Sequence, residues 1–378
     1  MQNLKQPKIA VIAESMLIGY GVGEVVNLLA ERLSRNGFNI TVLTNKNEYS
    51  CSNYKTVTYK VAALPRMSEF WNDNFLIDLR SFFSLVSVLN EYDVIITVDP
   101  MHIVGALSYG IFRKKVIMYY FGVPPQKILD SFVRKVESVR QNLLWNLSFH
   151  FSDRVLTNSY YTRNLLSPLI RGRAIVNYHG IDHLVCHEKE KAVRLRKDLA
   201  VGDRKLILSV GRFSTPYKGM IQTMKLFNKL QKNQGDCVLL LIGRGSISDL
   251  EVQSPPDNVV VLTKVPLEKL RVCFEACDLY CTCSRWEGFD LPIVAAQANG
   301  KPVIAYRVGA HEEVVTDGET GFLVDTPTEF LSRLSLLTSD DELRRKMGEK
   351  ARIAMRKFNW GESVRNFQNT ICQVFAES

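Results

Sequence analysis

Lys8-Ile-Ala-Val-Ile-Ala13, then Gly19, Gly21 and Gly23, then a stretch carrying Val25, Val26, Leu28, Leu29 and Leu33, and finally Phe38-Asn-Ile-Thr-Val-Leu-Thr44 follow one another without interruption. The first run is short, apolar and β-branched, as a strand buried on both faces of a parallel sheet requires. The middle stretch repeats its apolar residues at helical spacing and stops near Gly37. Strand, helix and strand in that order make a βαβ unit. Further strands are expected at Asp93–Val98, Lys115–Tyr120, Val155–Thr157 and Ala174–Asn177. The alternation then restarts with strands at Leu206–Val210, Cys237–Ile242, Val259–Leu262, Leu279–Thr282 and Pro302–Tyr306. Helices are expected at Gly219–Lys232, Leu267–Cys277 and Leu291–Asn299. The fold class is therefore α/β, with two parallel sheets and ligands expected at the carboxyl ends of their strands, in a cleft between domains. The expected domains are 1–186 and 187–359. The polar stretch His187–Lys205 is the junction, and 360–378 is a helix packing back on the first domain.

A length of 378 residues suits two domains, and 46% hydrophobic with 23% charged residues excludes disordered and fibrous classes. The chain has no run of 18 apolar residues, so no membrane-spanning helix is expected. The polar start Met1–Pro7 is not expected to be a signal peptide. Eight cysteines without regular spacing suggest reduced, buried thiols and a cytoplasmic setting. The net charge of +9 is uneven: residues 113–173 hold 11 basic and three acidic residues. That excess implies an anionic partner, whether a phosphorylated ligand, an acidic lipid surface or nucleic acid.

Three constellations follow strands. In Gly19-Tyr-Gly21-Val-Gly23-Glu24 the third glycine of a dinucleotide fingerprint is replaced by Glu24, and Asn45 stands where the ribose-binding acid would be. The loop either brings amides to a phosphate or is a tight strand-to-helix turn. In Gly211-Arg212-Phe213, followed by Lys218-Gly219, a guanidinium fork and a point charge suit two neighbouring phosphates. In Ser284-Arg-Trp-Glu287-Gly288-Phe289-Asp290-Leu291-Pro292 a strand exit meets a helix start. Its exposed amides suit an anion, and Glu287 suits hydroxyls. Together these describe a sugar-phosphate pocket.

Gly211-Arg212, Lys218-Gly219, Glu287-Gly-Phe-Asp-Leu-Pro292, Gly300-Lys-Pro-Val303 and Asp317-Gly-Glu-Thr-Gly-Phe-Leu323 resemble glycosyltransferase family 4. Ser152-Asp-Arg-Val-Leu-Thr-Asn-Ser159 and Gly180-Ile-Asp182 match its pattern as well. The resemblance implies a GT-B fold of two Rossmann-like domains. It also implies retaining transfer of a hexose from a nucleoside-diphosphate sugar to a glycan or lipid-linked acceptor. Arg212 and Lys218 would then bind the donor diphosphate and Glu287 the sugar hydroxyls. Gly211, Gly288 and the amides of Phe289, Asp290 and Leu291 would line the donor, and the Gly21 and Gly23 loop would close over it. The base would lie near Lys264 and Val265. No metal or other cofactor is implied. Two positions depart from the family: its second glutamate is Ala295, and its first-domain histidine is missing from Tyr119-Tyr-Phe121-Gly122-Val-Pro-Pro125. His102 offers a histidine out of register, and with Phe121 and Gly122 it is assigned to the acceptor side. An impaired nucleotide-sugar binder, or an anionic-lipid module, is the alternative function.

From Gln126 to Phe151, Ile128, Phe132, Val136, Val139, Leu143 and Leu147 recur at helical spacing among Lys127, Arg134, Lys135 and Arg140. Such a helix either packs its stripe on the first sheet or meets an anionic membrane at the inner face of the cell. Nucleic acid is unsupported, because aromatic and basic residues do not alternate. Cys273, Cys277, Cys281 and Cys283 match no paired zinc spacing and suit a core. His179, His183 and His187 lie in a loop, and no metal is expected there. His311-Glu312-Glu313 follows a strand and either touches the sugar or caps a helix.

Overall fold

The computed structural model describes residues 6–18, 21–59, 83–129, 132–233 and 237–377. Two compact units divide the chain. The first comprises Met1–Gln126, Ser131–Tyr178 and Gly361–Ser378, and the second Lys127–Asp130 and His179–Trp360.

The first unit contains β1 (Lys8–Ile12), β2 (Ser15–Met16), α1 (Gly21–Arg35), β3 (Asn39–Thr44), β4 (Lys46–Asn47), β5 (Lys55–Thr58) and β6 (Val94–Val98). It continues through α2 (His102–Phe112), β7 (Lys115–Tyr120), α3 (Phe132–Phe149), β8 (Arg154–Thr157), α4 (Tyr160–Asn164), α5 (Pro168–Arg173) and β9 (Ala174–Val176). Its parallel sheet has the order β5-β3-β1-β6-β7-β8-β9, and β2 pairs with β4. Ile9–Val11, Val94–Ile96 and Val116–Met118 are fully buried, which explains why these strands read as unbroken apolar runs. The chain's last helix joins this unit from Gly361, with Phe367 edge-on to Tyr119 at 5.0 Å and Arg154 paired with Glu377 at 2.6 Å.

The second unit contains α6 (Lys189–Asp198), β10 (Lys205–Val210), α7 (Met220–Asn233), β11 (Cys237–Gly243), β12 (Val259–Thr263), α8 (Leu267–Ala276) and β13 (Leu279–Thr282). It ends with α9 (Leu291–Ala298), β14 (Val303–Tyr306), α10 (His311–Val314), β15 (Gly321–Val324), α11 (Pro327–Ser339), α12 (Asp341–Ala354) and the start of α13 (Trp360–Ala376). The sheet order is β12-β11-β10-β13-β14-β15, every pair parallel, so the loops after β10 to β14 leave from one edge. One core joins Phe227 and Leu230 of α7 to Leu239, Leu241 and Ile304 of the strands and Phe330 of α11.

Four expectations change. The stretch His187–Lys205 is no linker: α6 occupies it and buries Ala192 and Leu195 within the second unit. The units meet in sequence at Tyr178 and His179, not at 186 and 187. Gly180 and Asp182 explain this, because a Cβ on Gly180 would lie 2.2 Å from the Trp360 nitrogen, and that nitrogen donates to Asp182 Oδ1 at 2.7 Å. The basic helix also begins at Phe132 rather than Gln126; Gln126–Ile128 is a single 3-10 turn. The apolar stripe of α3 does not pack on the sheet. Trp145 and Phe149 turn inward, while Phe132 is 80% exposed, Leu143 60% and Leu147 53%.

Cys186, Cys237, Cys273, Cys277, Cys281 and Cys283 are buried, and none of them forms a disulfide among the described residues. Burial pushes the thiols of Cys273, Cys277 and Cys283 up to about 12. Among the described residues no group of three His, Cys, Asp or Glu side chains could hold a metal ion.

Candidate active site

The loops leaving β10, β13 and β14 and the end of β11 converge because three glycines let their backbones touch. A Cβ on Gly243 would lie 1.8 Å from the Gly211 carbonyl oxygen, one on Gly219 2.1 Å from that of Cys283, and one on Gly309 2.1 Å from that of Glu287. Gly219 (φ 65°) and Gly309 (φ 59°) also adopt left-handed backbone, which a side chain would strain.

This convergence brings Lys218, at the end of the 3-10 turn Pro216–Lys218, against Glu287. Lys218 Nζ donates to both Glu287 carboxylate oxygens at 2.7 Å, and Ser284 Oγ donates to Oε1 at 2.7 Å. Ala310 N holds the Glu287 carbonyl at 3.0 Å, so the residue is fixed at both ends. Burial pushes the Glu287 carboxyl above its usual range, although the Lys218 ammonium pulls it down. Burial would lower Lys218, yet Glu287 and Asp290 hold its ammonium above the ordinary value. Arg212 donates from Nη2 to the hydroxyl of Tyr217 at 3.2 Å, next in sequence to Lys218. Tyr217 stands edge-on to Trp286 at 6.0 Å, and the Trp286 indole N–H is buried without a partner among the described residues.

The turn into α9 is buried rather than exposed: Phe289 and Asp290 are enclosed, with Leu291 half-buried. Asp290 takes left-handed backbone (φ 67°) and caps α9, its Oδ1 accepting from Ile293 N at 3.4 Å. Its Oδ2 faces His311 Nε2 at 3.0 Å. Phe289 packs edge-on to His179 at 5.4 Å, and burial beside His183 lowers His179 to about 3.

The remaining expected residues are more dispersed. Lys264 and Val265 follow β12, two strands from β10, with Lys264 exposed in left-handed backbone (φ 51°). Ala295 is fully buried in α9, so no carboxylate stands where the family's second glutamate would. In the first unit, Gly21 and Gly23 form the first turn of α1, where a Cβ on Gly23 would lie 2.8 Å from Leu17 N; Gly19 lies outside the described residues. His102 is fully buried, with Nδ1 3.0 Å from Thr97 Oγ1, Nε2 engaged by Asp99, and Tyr120, Trp145 and Phe149 around the ring. It is enclosed in the core, not open to an acceptor. Phe121 is buried, its N–H donating to Asp99 Oδ2 at 3.0 Å, and Gly122 is half-buried with φ 99°. Sequence reasoning passed over Ser284, Tyr217 and the Asp290–His311 contact. A carboxylate in the turn of Gly288-Phe-Asp290 was the available signal for the last.

Comparison with known proteins places this arrangement. Residues 192–354 match the family model described as glycosyl transferases group 1, and residues 20–183 match glycosyltransferase family 4. An uncharacterized glycosyltransferase of Methanocaldococcus jannaschii is 25% identical over 352 residues, covering 91% of this chain and 92% of that protein. Among solved structures, sucrose-phosphate synthase from Thermosynechococcus elongatus aligns with a TM-score of 0.80 at 19% identity, over 99% of this chain and 100% of that one. Anabaena HepE in complex with UDP-glucose aligns with a TM-score of 0.79 at 18% identity, over 97% and 100%. The molecule is thus an enzyme of the glycosyltransferase class with the GT-B fold. It belongs to glycosyltransferase family 4.

Proposed function

We propose that the enzyme transfers a hexose from a nucleoside-diphosphate sugar to a glycan or lipid-linked acceptor, with retention at the anomeric carbon. The contact of Lys218, Glu287 and Ser284 carries this reading. A buried ion pair adds little net stability, so one held at a strand exit beside a helix start points to ligand chemistry. Arg212 and Lys218 bind the diphosphate and stabilise the charge that grows on it as the sugar leaves. Glu287 receives sugar hydroxyls, the Gly288–Leu291 turn and the Gly211 backbone receive the donor, and the base lies by Lys264 and Val265. The Gly21 and Gly23 turn of α1 serves the sugar phosphate. The bond from the anomeric carbon to the β-phosphate oxygen breaks, and the acceptor oxygen bonds on the same face. The acceptor's proton passes to the leaving phosphate. Arg212 and Lys218 neutralise that phosphate in place of a metal. The UDP-glucose named for HepE supports a nucleotide sugar as donor and makes UDP the first base to test.

The exposed face of α3 supports a peripheral station on an anionic membrane, at the cytoplasmic side. Phe132, Val139, Leu143 and Leu147 face outward with Arg134 and Lys135. An apolar groove of about 300 Å³ lined by Ile103, Leu107, Ile111, Leu147 and Phe151 continues that face and suits the chain of a lipid-linked acceptor. Among the described residues no helix is long and apolar enough to cross a membrane.

A thermal-shift screen of UDP-, GDP- and ADP-sugars tests the donor. A ligand at a hundred times its Kd stabilises the native state by about 2.7 kcal/mol, a rise of several degrees. The anomeric proton of the product, read by NMR, tests retention. Stabilisation without sugar transfer or release would make the chain a nucleotide-sugar binder. No response to any nucleotide sugar would remove the reading.

A further inference from the structure

Both ring nitrogens of His311 face oxygen. Nδ1 lies 2.7 Å from the Tyr306 carbonyl oxygen and Nε2 3.0 Å from Asp290 Oδ2, with the ring fully buried. A carbonyl oxygen only accepts, so Nδ1 carries a hydrogen. A neutral imidazole has no second N–H, and its bare Nε2 would then oppose a carboxylate lone pair at 3.0 Å. The contact therefore needs one more proton.

We propose that His311 is an imidazolium paired with Asp290, and that it is the counter-ion allowing a carboxylate to sit in the turn that receives the donor diphosphate. This rests on the reading of that turn given above. Asp290 is useful to α9 as its cap, but its negative charge opposes an anionic ligand at the same place. With Lys218 against Glu287 and His311 against Asp290, the four enclosed groups sum to zero. Arg212 and the turn's amides then act on the diphosphate without opposition.

The groups facing His311 agree. Asp290 and Glu287 approach from the β13–α9 loop and the Tyr306 carbonyl from the end of β14, while Lys218 stands beyond Glu287. On its own helix, Glu312 is drawn to Arg307, and Glu313 follows it. Burial alone would lower the imidazole, but the hydrogen bond and charge of Asp290, with Glu287, hold it above its ordinary value. A raised value moves loss of the proton to higher pH than for an ordinary imidazole. Loss leaves the turn one charge more negative, so diphosphate binding weakens with rising pH.

The test needs two readouts. In histidine-labelled enzyme without ligand, ¹⁵N NMR at pH 7 should show both His311 nitrogens protonated; a neutral ring overturns the proposal and leaves the donor reading untouched. UDP binding by calorimetry should weaken about tenfold in His311→Gln, the order expected from one uncompensated nearby charge. The double variant His311→Gln with Asp290→Asn, which keeps the cap, should return UDP affinity to within about twofold of wild type. A merely structural role for His311 predicts no such return, and that result also overturns the proposal. Failure of wild type to bind UDP, GDP or ADP would instead sink the donor reading, and the counter-ion role with it.

Discussion

At the scale of single residues, the pairing of Lys218 with Glu287 makes a two-sided prediction. Lys218→Ala should cut turnover by about 10²–10³, the usual cost of one preorganised charge-stabilising donor. Stability should also fall, by about 1–3 kcal/mol, because a buried carboxylate loses its partner. Burial already pushes the Glu287 carboxyl upward, and without Lys218 nothing of similar strength opposes that push. A carboxyl whose folded value is raised is best tolerated below its unfolded value and costs stability as pH rises. The destabilisation of Lys218→Ala should therefore be small at pH 5 and larger at pH 8, and Glu287→Gln in that background should flatten the profile. Urea melts at the two pH values decide the matter; an identical loss at both would mean that Glu287 does not carry the charge. Turnover that survives chelation of divalent ions is the companion expectation, since Arg212 and Lys218 are assigned the charge that a metal would otherwise neutralise.

At the scale of elements, most strands were legible because parallel strands are buried on both faces and read as apolar runs. What escaped had weaker signals for physical reasons. α6 is mostly polar and buries only Ala192 and Leu195, so its stretch read as a junction. β15 (Gly321–Val324) hides inside a glycine-rich motif and is held by β14 alone, at the sheet edge. The outward stripe of α3 has ordinary helical periodicity, and periodicity does not say whether a neighbour exists. In the site, Arg212, Lys218 and Glu287 were legible from residue type and spacing. The meeting of Asp290 with His311 was not, since it depends on left-handed backbone at Asp290 and a loop arriving from another strand. The glycines at these crossings give a prediction of their own. Gly219→Ala and Gly309→Ala should each cost about 1–3 kcal/mol, through positive φ and a Cβ driven into a carbonyl oxygen. Donor affinity should drop with stability, because the same contacts hold Lys218 and Glu287. Gly202→Ala also strains a positive φ (61°), but its Cβ would meet open space, so it should leave donor affinity unchanged. Calorimetry on the three variants separates strain at the crossing from strain alone.

At the scale of the whole molecule, charge and apolar surface coincide on one helix. Residues 113–173 carry 11 basic against three acidic residues, and α3 lies within them with an unpacked stripe. Each basic side chain near an anionic bilayer contributes about 1 kcal/mol, and each large apolar side chain that enters the interface contributes roughly 1.5–3 kcal/mol. Arg134 and Lys135 therefore supply attraction that salt weakens, while Leu143 and Leu147 supply attraction that salt leaves standing. Sedimentation with phosphatidylglycerol vesicles should exceed that with phosphatidylcholine vesicles and decline between 50 and 500 mM salt, which are roughly 14 and 4 Å of screening length. Leu143→Glu should lower partitioning about tenfold or more at either salt, whereas Arg134→Gln with Lys135→Gln should matter mainly at low salt. Both sets of substitutions lie on exposed positions, so donor-induced thermal shifts should be unchanged in all of them. Equal sedimentation of wild type and Leu143→Glu would mean that the stripe meets something other than a bilayer, and the lipid-linked acceptor would lose its strongest support.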